Sequence, residues 1–178
     1  MKYLINQEYH LLVLRQEVNK SYAVIFTFWR LIGKLMQITT RTDYSLRMLI
    51  FLYTHQGEPV GVQQVADAYG ISVNHLAKVA QTLVRAGWVE SVRGRNGGFM
   101  ITPAALEVSI GEIFRYTETN MELVACFGSE EGCVIDPACG LKHLLKQAKQ
   151  AFLNELDQKR LSDIASKRAK LAKLIPLT

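Results

Sequence analysis

Apolar side chains recur at helical spacing soon after residue 40. Leu46, Leu49, Ile50 and Tyr53 fall on one face and predict an amphipathic helix over 40–56. Thr40 and Asp43 stand as T-x-x-D at its start, the form of a capping box, and Gly57, Glu58 and Pro59 end it. A shorter helix follows over 62–69 with Val65 and Ala66 inward. Gly70 closes it, since glycine tolerates the left-handed backbone that a tight turn needs. Ser72 is placed to cap a third helix over 73–86, whose inner face is Leu76, Ala80 and Leu83. Short helix, glycine turn and capped longer helix make a helix-turn-helix pattern, and small Ala66 lets the two helices approach closely.

The polar positions of the third helix are as regular as its apolar ones. Asn74, Lys78, Gln81 and Arg85 repeat at spacings of four, three and four and form a face of amides and cations with no acid. Such groups hydrogen-bond base edges and phosphates in a major groove. On one helix alone, the same pattern is more often an ordinary solvated face. The adjoining segment shifts the balance. Residues 87–92 read as a strand, 93–98 as a turn and 99–101 as a return strand, with Asn96-Gly97 as the hairpin signal. Arg93 and Arg95 place two cations at the tip, suited to a phosphate backbone or a minor groove. A helix-turn-helix followed at once by a basic hairpin is a winged helix, and the combination implies double-stranded DNA as a partner. Within it, Ser72, Asn74, His75 and Lys78 are the candidates for the major groove, with Arg93 and Arg95 in or beside the minor groove.

After residue 139 the helical period returns. Leu141, Leu145, Ala148, Phe152 and Leu156 form a stripe at spacings of four, three, four and four. A long helix with a spare apolar face, beside a winged helix already closed on itself, points to a homodimer through paired helices. Packing on its own domain is the alternative. The basic segment after Lys167 is expected to fray. The fold class is therefore mainly α with a small β-hairpin: a winged helix-turn-helix plus a long dimerisation helix. The segments are an appendage (1–35), the winged helix-turn-helix (36–103), a linker helix with a cysteine loop (104–140), the dimerisation helix (141–165) and a basic tail (166–178).

Composition excludes several classes. The chain has 178 residues, 49% hydrophobic and 21% charged, which is globular rather than disordered. It holds no apolar run long enough for a membrane-spanning helix, so no membrane partner is expected. Net charge is only +5, but it is unevenly placed. Residues 104–140 carry seven acids against one Arg, whereas 141–178 carry nine Lys/Arg against three acids. The acidic block is expected to face away from a phosphate backbone. In the first 35 residues the apolar run 22–29 is too short to span a bilayer. It lies too far from Met1, with no A-x-A site after it, to fit a secretory signal. The segment is expected to precede a true start at Met36, with an extra helix as the alternative.

Three cysteines lie in or at the edge of the acidic block. Cys126, Cys133 and Cys139 follow C-x6-C-x5-C, and Gly128, Gly132 and Pro137 mark the stretch as loop. A loop can wrap three thiolates around one centre. Three soft ligands with one place unfilled suit an iron–sulfur cluster, and the spacing is wider than the C-x2-C of zinc knuckles. A zinc site, redox thiols or a Cys126–Cys133 disulfide remain open on spacing alone. No acid–base or Cys–His motif points to an enzyme.

These features together resemble the Rrf-type winged-helix regulators. The segments that carry the resemblance are Met36-Gln-Ile-Thr-Thr-Arg-Thr-Asp-Tyr-Ser-Leu-Arg, Val73-Asn-His-Leu-Ala-Lys-Val, Arg93-Gly-Arg-Asn-Gly-Gly and Cys133-Val-Ile-Asp-Pro-Ala-Cys-Gly-Leu-Lys. It covers about residues 36–165 and implies Met36 as the start. The run Asp136-Pro-Ala-Cys-Gly-Leu-Lys and the run Phe152-Leu-Asn-Glu-Leu-Asp are most similar to the nitric-oxide-sensing branch of that family. The branch that senses iron–sulfur supply has a His three residues after the third cysteine. Here that position is Lys142, and His143 is one residue late, about 100° around a helix.

The resemblance implies a cytoplasmic, homodimeric repressor of nitric-oxide detoxification genes that binds palindromic half-sites and has nitric oxide as its ligand. It implies an iron–sulfur cluster on Cys126, Cys133 and Cys139, 4Fe–4S in preference to 2Fe–2S. The fourth ligand could be His143, Asp136, Asp43, a small molecule or water; the resemblance implies Asp43, supplied by the partner subunit. The alternatives are an iron–sulfur- or redox-responsive regulator of the same family and a zinc-stabilised DNA-binding module.

Overall fold

Residues 38–119, 121–123, 127, 133–135 and 138–177 are described in the computed structural model of the protein. The segment 1–35, Cys126 and Asp136 lie outside them. The first helix, α1 (Thr40–Thr54), is followed by α2 (Val62–Tyr69) and α3 (Val73–Arg85), then by an antiparallel hairpin of β1 (Val89–Val92) and β2 (Gly98–Ile101). Two short helices, α4 (Pro103–Glu107) and α5 (Ile110–Thr117), lead towards the long α6 (Gly140–Asp157). The described chain finishes with α7 (Leu161–Ile164) and α8 (Arg168–Leu174). The architecture is mainly α with one small hairpin, as the periodicity implies.

α1 is the core's central rod. Met48, Leu49 and Phe51 are fully buried and Leu52 nearly so. Of the face expected from the sequence, Leu49 is fully buried, while Leu46, Ile50 and Tyr53 are only partly covered. The difference arises because α1 packs against α3, α5, α8 and β2 at once, so burial spreads around its circumference. Its cap also sits one residue earlier than the T-x-x-D reading. Thr39 is the N-cap, its Oγ1 accepting from the Thr42 amide at 3.3 Å, and Asp43 instead pairs with Arg47 at 2.9 Å.

The turn between α2 and α3 is made as glycine chemistry requires. Gly70 has φ 63° and ψ 38°, and the Ile71 amide donates back to the Ala66 carbonyl at 2.9 Å. Leu76, Ala80 and Leu83 then seat α3 in the core at full burial. Each leucine contributes about 1.5–3 kcal/mol relative to exposure. α3 ends in a Schellman motif. The Gly87 amide (φ 76°) donates to Val84 and the Trp88 amide to Leu83, at 3.0 and 3.1 Å. Gly87 thus terminates the helix instead of opening the strand.

The hairpin pairs Val89 with Ile101 and Val92 with Gly98. A third backbone segment joins it. Val60 and Phe99 exchange two hydrogen bonds of 2.9 and 2.8 Å, tying the wing to the approach of α2. With Gly98 held in this register, five residues (93–97) must close the hairpin, too many for the two-residue Asn-Gly turn. The tip is instead a turn from Gly94 (φ 118°) to Gly97, whose amide donates to the Gly94 carbonyl at 3.0 Å.

The C-terminal half docks back on this domain. Arg115 of α5 grips Asp157 at the end of α6 through both terminal nitrogens, one bond measuring 2.7 Å. These bonds hold the Asp157 carboxyl below its ordinary value and raise that of Arg115. The Ile110 amide donates to Lys159 O at 2.7 Å. The segment after Lys167, expected to fray, forms α8 instead. Arg168 donates to the carbonyls of Thr54 and Gln56 at 2.7 and 3.2 Å, satisfying orphan acceptors at the end of α1, and Ile175 is buried.

A methyl at Gly98 would stand 2.6 Å from the Val60 carbonyl oxygen, a backbone atom that cannot swing aside. Gly98→Ala is expected to destabilise the protein by about 1–3 kcal/mol in urea melts. Gly140→Ala, where the methyl meets open space, is expected to be neutral or mildly stabilising. Equal effects for the two would remove the Val60 contact as the reason for glycine at 98.

Candidate functional site

α3 carries the polar face that its spacing predicts. Asn74, His75, Lys78, Gln81 and Arg85 are exposed, while Leu76, Val79, Ala80, Thr82 and Leu83 are buried beneath them. Ser72 occupies the N-cap with extended backbone, but its hydroxyl makes no capping hydrogen bond. The helix start is held by the backbone alone, the His75 and Leu76 amides both donating to the Ser72 carbonyl at 3.1 Å. Ser72, Asn74, His75 and Lys78 thus lie together on the first turns of α3. Arg93 and Arg95 are exposed on the hairpin tip, Arg95 inside the Gly94–Gly97 turn.

Sequence reasoning missed a contribution from α1. Between α1 and α3 runs an open groove of ≈ 520 Å³ lined by Thr40, Arg41 and Tyr44 on one side and by His75, Lys78, Gln81 and Arg85 on the other. The Tyr44 and His75 rings stand 6.5 Å apart across it. The available signal was Arg41 and Tyr44 at a spacing of three in the first turns of a helix, masked by the neighbouring Asp43.

Of the three cysteines, Cys133 and Cys139 are among the described residues. Cys139 is the N-cap of α6, and its Sγ accepts from the Lys142 amide at 3.4 Å. Cys133 is exposed, and it and Cys139 are free thiols; Cys126, and with it the Cys126–Cys133 pairing kept open from the sequence, lies outside the described residues. Among the described residues no three His, Cys, Asp or Glu side chains come together. The donor chemistry fits an iron–sulfur cluster. Two uncommitted soft ligands border one loop, and one of them already receives the backbone N–H···S bond by which such sites are tuned. Asp43 is a half-buried carboxylate in the first turn of α1, held by Arg47, whose guanidinium lies 5.8 Å from the centre of the Tyr69 ring. His143 is exposed on α6, one residue beyond Lys142.

A further polar residue was not anticipated. Glu118, at the end of α5 and just before the cysteine segment, is buried. Its Oε2 accepts from the Thr39 amide at 2.9 Å, the Thr39 hydroxyl at 3.1 Å and the Thr42 hydroxyl at 2.9 Å. No local pattern announces it, because its partners lie more than seventy residues away.

The outer face of α6 is largely uncovered. Leu141, Leu144 and Phe152 are 62%, 61% and 47% exposed, and Leu153 is the one fully buried residue of the helix. Of the predicted stripe, Leu145 and Leu156 are partly covered by the chain itself, and the Phe152 ring meets that of Phe114 edge-on at 5.5 Å.

Helix-turn-helix, wing and a cationic recognition face together define a DNA-binding transcriptional regulator rather than an enzyme. A family model described as Rrf2, iron-dependent transcriptional regulator, matches residues 38–167, and the chain belongs to the Rrf2 family. It is similar to the HTH-type transcriptional regulator NsrR of Bacillus licheniformis, 46% identical over 142 residues that make up 79% of this chain and 99% of that protein. The NsrR of Bacillus subtilis is 42% identical over 144 residues, 80% of this chain and 99% of the relative. Among solved structures, CymR, the global cysteine regulator of Bacillus subtilis, matches with a TM-score of 0.61 at 25% identity, over 75% of this chain and 98% of that one. No helix among the described residues is long and apolar enough to cross a membrane.

The cap at Cys139 separates two roles of one sulfur. Serine is a strong N-cap and alanine is not. In metal-free protein, Cys139→Ser is expected to keep the stability of wild type, and Cys139→Ala to lose about 0.5–1 kcal/mol in chemical denaturation. If the alanine variant is as stable as the serine one, the sulfur does not support the helix start.

Proposed function

We propose that this regulator is a homodimeric repressor that responds to nitric oxide through an iron–sulfur cluster and acts in the cytoplasm on nitric-oxide detoxification genes. The observation that carries the proposal is the position of Cys139. It is at once the last cysteine of the C-x6-C-x5-C run and the cap of α6, the helix whose outer apolar face is largely exposed. The similarity to the NsrR regulators over almost their whole length supports the same reading.

In this reading Cys126, Cys133 and Cys139 hold the cluster, 4Fe–4S in preference to 2Fe–2S. Asp43 of the partner subunit supplies the fourth ligand in place of its bond to Arg47. A carboxylate is a hard donor beside soft thiolates and is displaced more readily. When bound, the cluster supplies iron that nitric oxide attacks. The uncovered stripe of α6 pairs with its copy across the dimer axis. While the three thiols are held together, the 126–139 loop is closed and the first turn of α6 is fixed through Cys139. Once they are released, the loop loses its constraint and α6 shifts against its copy. The two recognition helices then depart from the spacing of the palindromic half-sites. On the DNA, Ser72, Asn74, His75 and Lys78 lie at the major groove, and Arg93 and Arg95 in or beside the minor groove.

Colour gives the first test. Protein purified without oxygen is expected to be brown, whereas a zinc-stabilised module would be colourless. Serine at 126, 133 or 139 is expected to bleach the visible absorption and abolish nitric-oxide-sensitive operator binding. A cysteine replaceable with both properties intact is not a ligand. Asp43→Ala is expected to leave a coloured protein with altered visible circular dichroism and an altered response to nitric oxide. An unchanged spectrum and response would assign the fourth position elsewhere.

For the wing, Arg93→Ala or Arg95→Ala is expected to cost about 1–3 kcal/mol of operator affinity where that guanidinium reads the groove, and less where it meets a phosphate. Gel shifts with unchanged affinity for both would remove the wing from the interface.

A further inference from the structure

The charges lining the groove between α1 and α3 are all of one sign. Arg41, Lys78 and Arg85 line it together with His75 and the Tyr44 ring, and no carboxylate does. None of the three cations forms a salt bridge among the described residues; Arg85 donates only to the Thr82 hydroxyl, at 3.2 Å. The nearest acid in sequence, Asp43, is taken up by Arg47. Three cations left uncompensated around one concavity repel one another. Such an arrangement is tolerable in water and becomes favourable when an anion enters. The groove is also continuous with the exposed face of α3, since His75, Lys78, Gln81 and Arg85 belong to both. A duplex lying against that face would carry its sugar–phosphate backbone past the mouth of the groove.

We propose that this groove is a binding site for a DNA backbone phosphate, with Arg41 of α1 as its anchor outside the recognition helix and Lys78 and Arg85 opposite. The inference rests on the DNA-binding reading of α3 and deepens it. The interface extends to the first turn of α1, where it contributes position rather than sequence reading. A phosphate contact fixes register without distinguishing base pairs. Arg41 is well suited to the task, being exposed and close to the capped start of α1, so its guanidinium is carried on a rigid base.

The test uses the full-length protein and two short duplexes, one selected from a random library by the wild-type protein and one unselected, over a salt series. Arg41→Ala is expected to weaken binding to both by about 3- to 10-fold, in equal ratio. It should also reduce the slope of log affinity against log salt by about one. Arg41→Lys should restore most of the loss, since a point charge suffices for a phosphate. Arg41 is exposed, so both variants should melt as wild type does. A loss confined to the selected duplex and not rescued by lysine would make Arg41 a base reader and overturn the proposal. Unchanged affinity and slope, while Arg95→Ala still weakens binding, would overturn it and leave the wing and α3 standing. Inorganic phosphate alone protecting the protein against thermal unfolding through Arg41, with no effect of the variant on DNA, would make this a free-anion site and also overturn it. A wild-type protein that selects no duplex would overturn the DNA-binding reading itself, and this inference with it.

Discussion

The carboxylate of Glu118 is the constraint on which the joining of α1 to α5 depends. Buried charge is costly unless its lone pairs are met, and here three donors from Thr39 and Thr42 meet one oxygen. The bond set fastens the start of α1 to the end of α5. The rod that organises the winged helix therefore begins at the point where the chain leaves for the cysteine segment. A negative group at a helix start is also favourable against the helix dipole. Removing it would leave the two threonine hydroxyls and an amide without their acceptor in a place that water reaches poorly.

α6 is held unevenly, and this has a mechanical meaning. Its last turns are locked by the Arg115–Asp157 pair, the Ile110–Lys159 backbone bond and buried Leu153. Its first turn carries the thiol cap, and Leu141 and Leu144 there face solvent. A rod clamped at its far end and capped at its start by a weak sulfur acceptor converts a displacement of Cys139 into a change of angle. Exposed leucines at that end have a reason only if something covers them.

Much of the fold was legible in the sequence because it is local. Gly70, the α3 periodicity and the hairpin each follow from residues within one turn of one another. Most of the errors arise from contacts between residues far apart, whereas the misplaced Gly87 is a local one, held by Val84. Val60 bridges Phe99 and converts the expected two-residue turn into a longer tip. Arg168 finds the end of α1 and orders a tail that composition alone reads as frayed. Glu118 meets Thr39 across the domain, and the true cap is Thr39 rather than Thr40. The candidate site divides the same way. The exposed positions on α3 follow from period, but the groove that α1 completes is a product of packing.

The hydrogen bond from Arg168 to Thr54 also bears on how the protein is made. It closes a span of 114 residues, so the end of α1 does not gain this bond until Arg168 has left the ribosome. By then the cysteine segment and α6 have already been synthesised. The winged helix thus gains one of its contacts only after the segments that follow it in sequence are made. A nascent or truncated chain lacking α8 would also lack the clasp on the helix around which the winged helix is built.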